Sequence, residues 1–237
     1  EISLSPPRKK GYSEIVNETG LLTGLFMLFA IGVGFLWVIK VEYHLGAHIW
    51  KGVLALGIGL ALGAAFIPSF WGSALLGILG GSIAWGATEL PDQEQRVAQG
   101  LFPANPRKRR SKQGLSIRWF LPPLALLLGA VFVAGRSWAG PVLAVTTFAT
   151  IGFGHVLVRR LHAQFGTRPG WPLVALGLAL LGYSSLLPGK TLSAVVGITA
   201  VTVFWDGVEI FRQEKRKRRE ALKSRQNAPE EEASESR

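Results

Sequence analysis

The sequence predicts an all-α membrane protein of seven transmembrane helices, built as two parallel three-helix repeats joined by a linker helix in a 3+1+3 layout. Three observations carry this. Of the 237 residues 49% are hydrophobic and only 17% charged, with a mean hydropathy of +0.31, too apolar for an ordinary soluble domain. Several apolar runs approach or reach the roughly 20 residues needed to cross a bilayer. The stretch WGATELPDQEQR at 85–96 returns as WDGVEIFRQEKR at 205–216, the mark of an internal duplication.

The elements follow in order. Residues 1–19 form a polar, external amino terminus ahead of a first repeat over 20–96, with spans at 20–40, 50–67 and 70–90. A basic loop at 97–116, containing PRKRRSK, leads into a linker span at 117–135. The second repeat occupies 139–211, with spans at 139–158, 171–187 and 190–210. Pro68 and Pro188 mark tight turns inside the two repeats. A basic cytoplasmic helix at 212–225 and a disordered acidic tail at 226–237 complete the chain. Apolar runs without strand-like alternation must be helices, because an unpaired backbone group in hydrocarbon is too costly.

An offset of 120 residues aligns the repeats without a gap, pairing Gly57, Pro68, Ser73, Gly77, Trp85, Glu89 and Arg96 with Gly177, Pro188, Ser193, Gly197, Trp205, Glu209 and Arg216. Shared apolar composition explains matching leucines. It does not explain glycine, proline, tryptophan and acid in one register. Three spans per repeat is an odd number, so the linker span is needed to bring both copies into the same orientation, related by an axis along the membrane normal.

Charge sets the topology. All but Arg8, Lys9, Lys10, Arg136 and Lys190 of the 26 lysines and arginines fall on one side of a seven-span chain, which places the amino terminus outside and the carboxyl terminus in the cytoplasm. The basic residues flank apolar segments, so the net charge of +11 points to anionic lipid headgroups as partners and away from nucleic acid.

The run VIKVEYHLG with IWKG, the WGATEL end of the third span, and EQRVAQGLFPANPRKRR resemble a family of small three-helix bacterial integral membrane proteins of unknown function. The resemblance covers about residues 20–110. It is most specific in the loop RVAQGLFPANPRKR, and the second half carries it without the Phe-Pro and Asn-Pro loop. It implies a fused tandem version of a protein without an assigned activity, located in a bacterial inner membrane. The 3+1+3 layout is also that of the SWEET sugar facilitators, but their proline-containing motif is absent from GLFMLFAIGVGFLWVIK, and a shared layout does not license a shared function.

Motifs with chemical content are few. The absence of cysteine excludes disulfides, thiolate metal sites and thiol nucleophiles. SSLLPGKT at 184–191 ends like a phosphate-binding loop, but Ser184 stands where its first glycine is required. Trp85 with Glu89, and Trp205 with Glu209, are four apart on one helical face. They read as interfacial anchors, each glutamate in a bundle salt bridge to Lys40 or Arg160. His155 and Asp206 are present where the first repeat has Phe35 and Gly86. At similar depth inside their spans, they are a candidate intramembrane polar pair, because an acid within a span must be paired or wetted.

No catalytic residue, metal ligand or cofactor is predicted, and the chain is read as a non-enzyme. A membrane subunit or scaffold of a larger complex, with protein partners, is the first expectation. A small-solute facilitator with a pathway between the repeats is the second, and an intramembrane lipid-acting enzyme the third.

Overall fold

The structure, a computed structural model, describes residues 16–106 and 137–235, with side chains to residue 218. The described residues form six helices: α1 (Thr19–Leu45), α2 (Trp50–Gly63), α3 (Phe70–Ala98), α4 (Ala139–Phe165), α5 (Gly170–Ser184) and α6 (Lys190–Glu235). No strand occurs among them. The first three make one unit and the last three another. The expected linker span at 117–135 lies outside the described residues.

Local sequence accounts for the boundaries. Asn17 accepts the Thr19 amide at the start of α1, and Ser69 accepts the Gly72 amide at the start of α3. Gly46 and Gly166 end α1 and α4 at φ 87° and 62°, angles that a side chain would strain. Ser185 to Gly189, in the segment that resembles a phosphate loop, is a turn closed by Gly189 at φ 81°. α6 runs on to Glu235, taking in the expected cytoplasmic helix and the backbone of most of the tail read as disordered, a stretch rich in the good helix formers alanine, glutamate, lysine and arginine.

Five helices are long and apolar enough to cross a membrane: α1, α3, α4, α6 through Arg218, and α2 with the short 3₁₀ turns that flank it (Ala47–Phe66). α5, expected to span over 171–187, has 15 residues. At about 1.5 Å per residue it falls short of the roughly 30 Å hydrocarbon core. The protein is therefore membrane-embedded, and its described residues are all-helical.

α1, α3, α4 and α6 all begin at one face. The chain entering α1 bonds the turn before α6 (Asn17 amide to Ser185 carbonyl, 2.8 Å), and the chain entering α4 bonds the turn before α3 (Ser137 amide to Ala65 carbonyl, 2.7 Å). α2 and α5 run back, packed on α3 and α6. The units join by exchange of neighbours: α3 packs on α4, and α6 packs on α1. Met27, Ala74, Ile78, Leu143, Ala194 and Ile198, one or two from each long helix, fill the centre and are fully buried.

Lipid is as apolar as leucine, so close contact and backbone hydrogen bonds must hold such helices together. Glycine supplies the contact. Gly77 lies against the Gly140 backbone, and Gly197 against that of Gly20. Within the units, Gly57 abuts the Ala84 backbone and Gly177 that of Phe204. Each of these pairs recurs in the other unit at the offset of 120 residues.

Candidate functional site at the seam between the units

The two seams begin with the same device. Ser73 donates to the Ala64 carbonyl (2.8 Å) and accepts the Gly140 amide (2.9 Å). Ser193 donates to the Ser184 carbonyl (2.8 Å) and accepts the Gly20 amide (2.8 Å). Each serine thus ties its own unit's turn to the first helix of the other. Both are fully buried, where an unmade hydrogen bond would cost about 1–3 kcal/mol.

Toward the ends of α1 and α4 the seams diverge. On the α3–α4 side, Trp85 lies over Gly152 and meets Phe148 edge-on, with ring centroids 5.6 Å apart. Its indole Nε1 donates to Glu89 Oε1 at 3.1 Å, one turn along the same helical face. His155 Nε2 stands 3.0 Å from the same oxygen, and its Nδ1 is 3.0 Å from the Ile151 carbonyl. Its side chain keeps 48% of its exposure, against 17% for Glu89. Among the described residues this is the only ion pair that joins the units.

Asp206 arrives from α6. It is 8% exposed and packs against Gly154, beside His155, where the absent glycine side chain leaves room for a carboxylate. It lies within electrostatic range of His155 and of Glu209. The expected pair is therefore brought together in space, but the ring's direct partner is Glu89 of the other unit. The reason is tertiary: α3 packs against α4, and the Trp85 indole holds the Glu89 carboxylate toward that seam.

On the α6–α1 side the equivalent residues make no such cluster. Phe35 takes the place of His155 and is half exposed, and among the described residues nothing approaches Gly32 or Gly34. The Trp205 ring is covered by Arg212, whose guanidinium carbon is 5.0 Å from its centroid. Glu209 bonds Arg216 at 2.6 Å and lies 3.9 Å from Arg212. Lys40 and Arg160, expected opposite the two glutamates, form no ion pair among the described residues. Lys40 instead lines a cavity of about 90 Å³ with Glu42, Gln93 and Phe102.

The sequence profile of a family described as Domain of unknown function (DUF4491) matches residues 17–108 and again 137–227. The chain belongs to this family. Its two matches coincide with the two units, so the Glu89–His155 contact joins one DUF4491 stretch to the next. No curated protein and no solved structure gives a match.

Sequence reasoning passed over one further pair of positions in the two DUF4491 stretches. Glu42 and His162, which align at the same offset, are 2% and 6% exposed. His162 Nε2 is 3.3 Å from Glu214 without the alignment of a hydrogen bond. The alignment itself was the available signal, since it sets two ionisable residues in one buried place. In chemical terms the seam offers a carboxylate, an imidazole and a second carboxylate in succession. Among the described residues, no group of three potential ligands could hold a metal ion.

Proposed function

We propose that this protein is a non-enzymatic multi-pass membrane subunit or scaffold of a larger complex, a tandem duplication whose two units pack closely against each other. One observation carries the reading: the axis between the units is filled by the buried side chains of Met27, Ile78, Leu143 and Ile198, flanked by glycine contacts too close to admit a solute. A greasy, close-packed seam suits an assembly platform and opposes a conduit. In this reading 117–135 is a seventh span returning the chain to the face where α4 begins. The amino terminus is then external and the basic ends meet anionic headgroups on the cytoplasmic side of a bacterial inner membrane. The loop RVAQGLFPANPRKR belongs to that side.

The test has two arms. A reporter active only outside the cytoplasm, fused after Arg110, should be silent. Protein purified in mild detergent should carry a partner at constant stoichiometry, and the same protein alone in liposomes should pass neither protons nor sugars. Flux in liposomes would replace the scaffold with a facilitator. That second reading is favoured by the polar cluster of Glu89, His155 and Asp206, and it requires the flux to fall on Asp206→Asn. A lipid-acting enzyme ranks third, because the cluster offers no nucleophile beside its base.

A further inference from the structure

The hydrogen bonds around His155 count the protons on it. Nδ1 faces the Ile151 carbonyl at 3.0 Å. A carbonyl can only accept, so Nδ1 carries a proton. Nε2 faces Glu89 Oε1 at 3.0 Å. A bare nitrogen opposite a bare carboxylate oxygen would set lone pair against lone pair, so a second proton lies between them. Whether that proton belongs to the ring or to the acid, the pair holds one more than a neutral histidine beside an ionised glutamate. Oε1 also accepts the Trp85 indole N–H, and an oxygen that takes two donors is best served as a carboxylate facing an imidazolium.

Charged and titratable groups reach the pair from each helix packed on it. From α6, the carboxyl group of Asp206 lies in electrostatic range of the ring. Its neighbour Glu209 is itself engaged by Arg216 and Arg212. From α3, Arg96 acts on Glu89. On α4, Arg159 Nε donates to the His155 backbone carbonyl, which holds the guanidinium about one turn farther along. The ring is half exposed and lies toward the face where α1 and α4 end.

We propose that Glu89 and His155, oriented by Trp85 and backed by Asp206, form a proton-binding site across the seam between α3 and α4. Loss of the proton to water at that face removes the ion pair joining the units there and loosens this seam alone. The α6–α1 seam, with Phe35 in place of the histidine, does not respond. This goes beyond the scaffold reading and does not depend on it.

The test uses the full chain in nanodiscs of uncharged lipid, with nitrogen-labelled histidine and carboxyl-labelled glutamate. As pH rises from about 5 to about 9, a range that spans ordinary histidine titration, magnetic resonance should show Nδ1 protonated throughout. The shared proton should leave in one step, and Trp85 emission should change with it, as identified by subtraction of W85F. H155Q should abolish the step. E89Q, whose amide can still donate to a bare Nε2, should keep the fold and weaken proton binding by about tenfold or more, and D206N should weaken it less. Because the chain has no cysteine, spin labels can be placed at Thr88→Cys and Val156→Cys, where the distance distribution should broaden above the step. A His155 step that E89Q leaves unmoved, a ring with a bare Nε2 across the whole range, or a label distance indifferent to pH would each overturn the proposal.

Discussion

At the seam between α3 and α4, Ser73 bridges the units at one end and Glu89 meets His155 toward the other. At the seam between α6 and α1, Ser193 makes the same bridge, but Phe35 is half exposed and, among the described residues, nothing lies against Gly32 or Gly34. The shared half rests on backbone: a glycine against a glycine and a serine between two main chains. Few side chains can replace these, because any larger group strikes a peptide. The divergent half rests on side chains that project from otherwise similar helices, and there one seam carries a polar lock while the other presents an apolar face. Close backbone contact thus holds the two seams alike where side-chain chemistry lets them differ.

The strongest way to break this comparison is at the glycines. Gly77→Leu and Gly197→Leu should destabilise the protein alike, by about 3 kcal/mol or more, since each side chain would enter the backbone of Gly140 or Gly20. Thermal unfolding in nanodiscs reads this, and a tolerated substitution at either position would show that its seam is not closely packed. Next in size are Ser73→Ala and Ser193→Ala, each expected to cost about 1–3 kcal/mol for a buried amide and carbonyl left unpaired. Unequal losses would mean that the two bridges do not carry the same load.

Smaller effects sharpen the difference. Gly152→Ala should cost about 1 kcal/mol because its methyl meets the Trp85 ring. Gly32→Ala, in open space, should be neutral or stabilising by about 0.5 kcal/mol, the ordinary helical preference for alanine. Equal responses would erase the distinction between the seams. Last comes Glu209→Gln, which removes a pairing to an arginine that is 58% exposed and should change stability by under about 0.5 kcal/mol. A loss as large as that from Glu89→Gln would show that Glu209 also holds its seam.

Much of the architecture was legible because it depends on short-range or repeated signals. Apolar runs gave the helices, and α1, α3 and α4 run past the expected spans into their polar flanks because helix propensity does not stop at the edge of the hydrocarbon. Span length misled at α5, where Ser184 and Ser185 turn the chain before the apolar composition ends. At the site, the four-residue spacing of Trp85 and Glu89 put them on one helical face, where they make a hydrogen bond in place of the salt bridge expected to Lys40 or Arg160. The same spacing at Trp205 and Glu209 gives no such bond, since Arg212 and Arg216 compete for the ring and the acid.

What the sequence alone determined is what a single helix or a fixed offset can carry: apolar helices, glycines and serines in matching places, and an acid and a histidine found in one half only. The partner of that histidine was decided by the tertiary structure. Depth along the membrane put His155 level with Asp206, and depth can be read from residue number because a helix rises by a constant amount per residue. Azimuth around the bundle cannot be read that way. It depends on which helices are neighbours, and here each unit's last helix packs on the first helix of the other, so that Glu89, from the opposite half of the chain, reaches the ring.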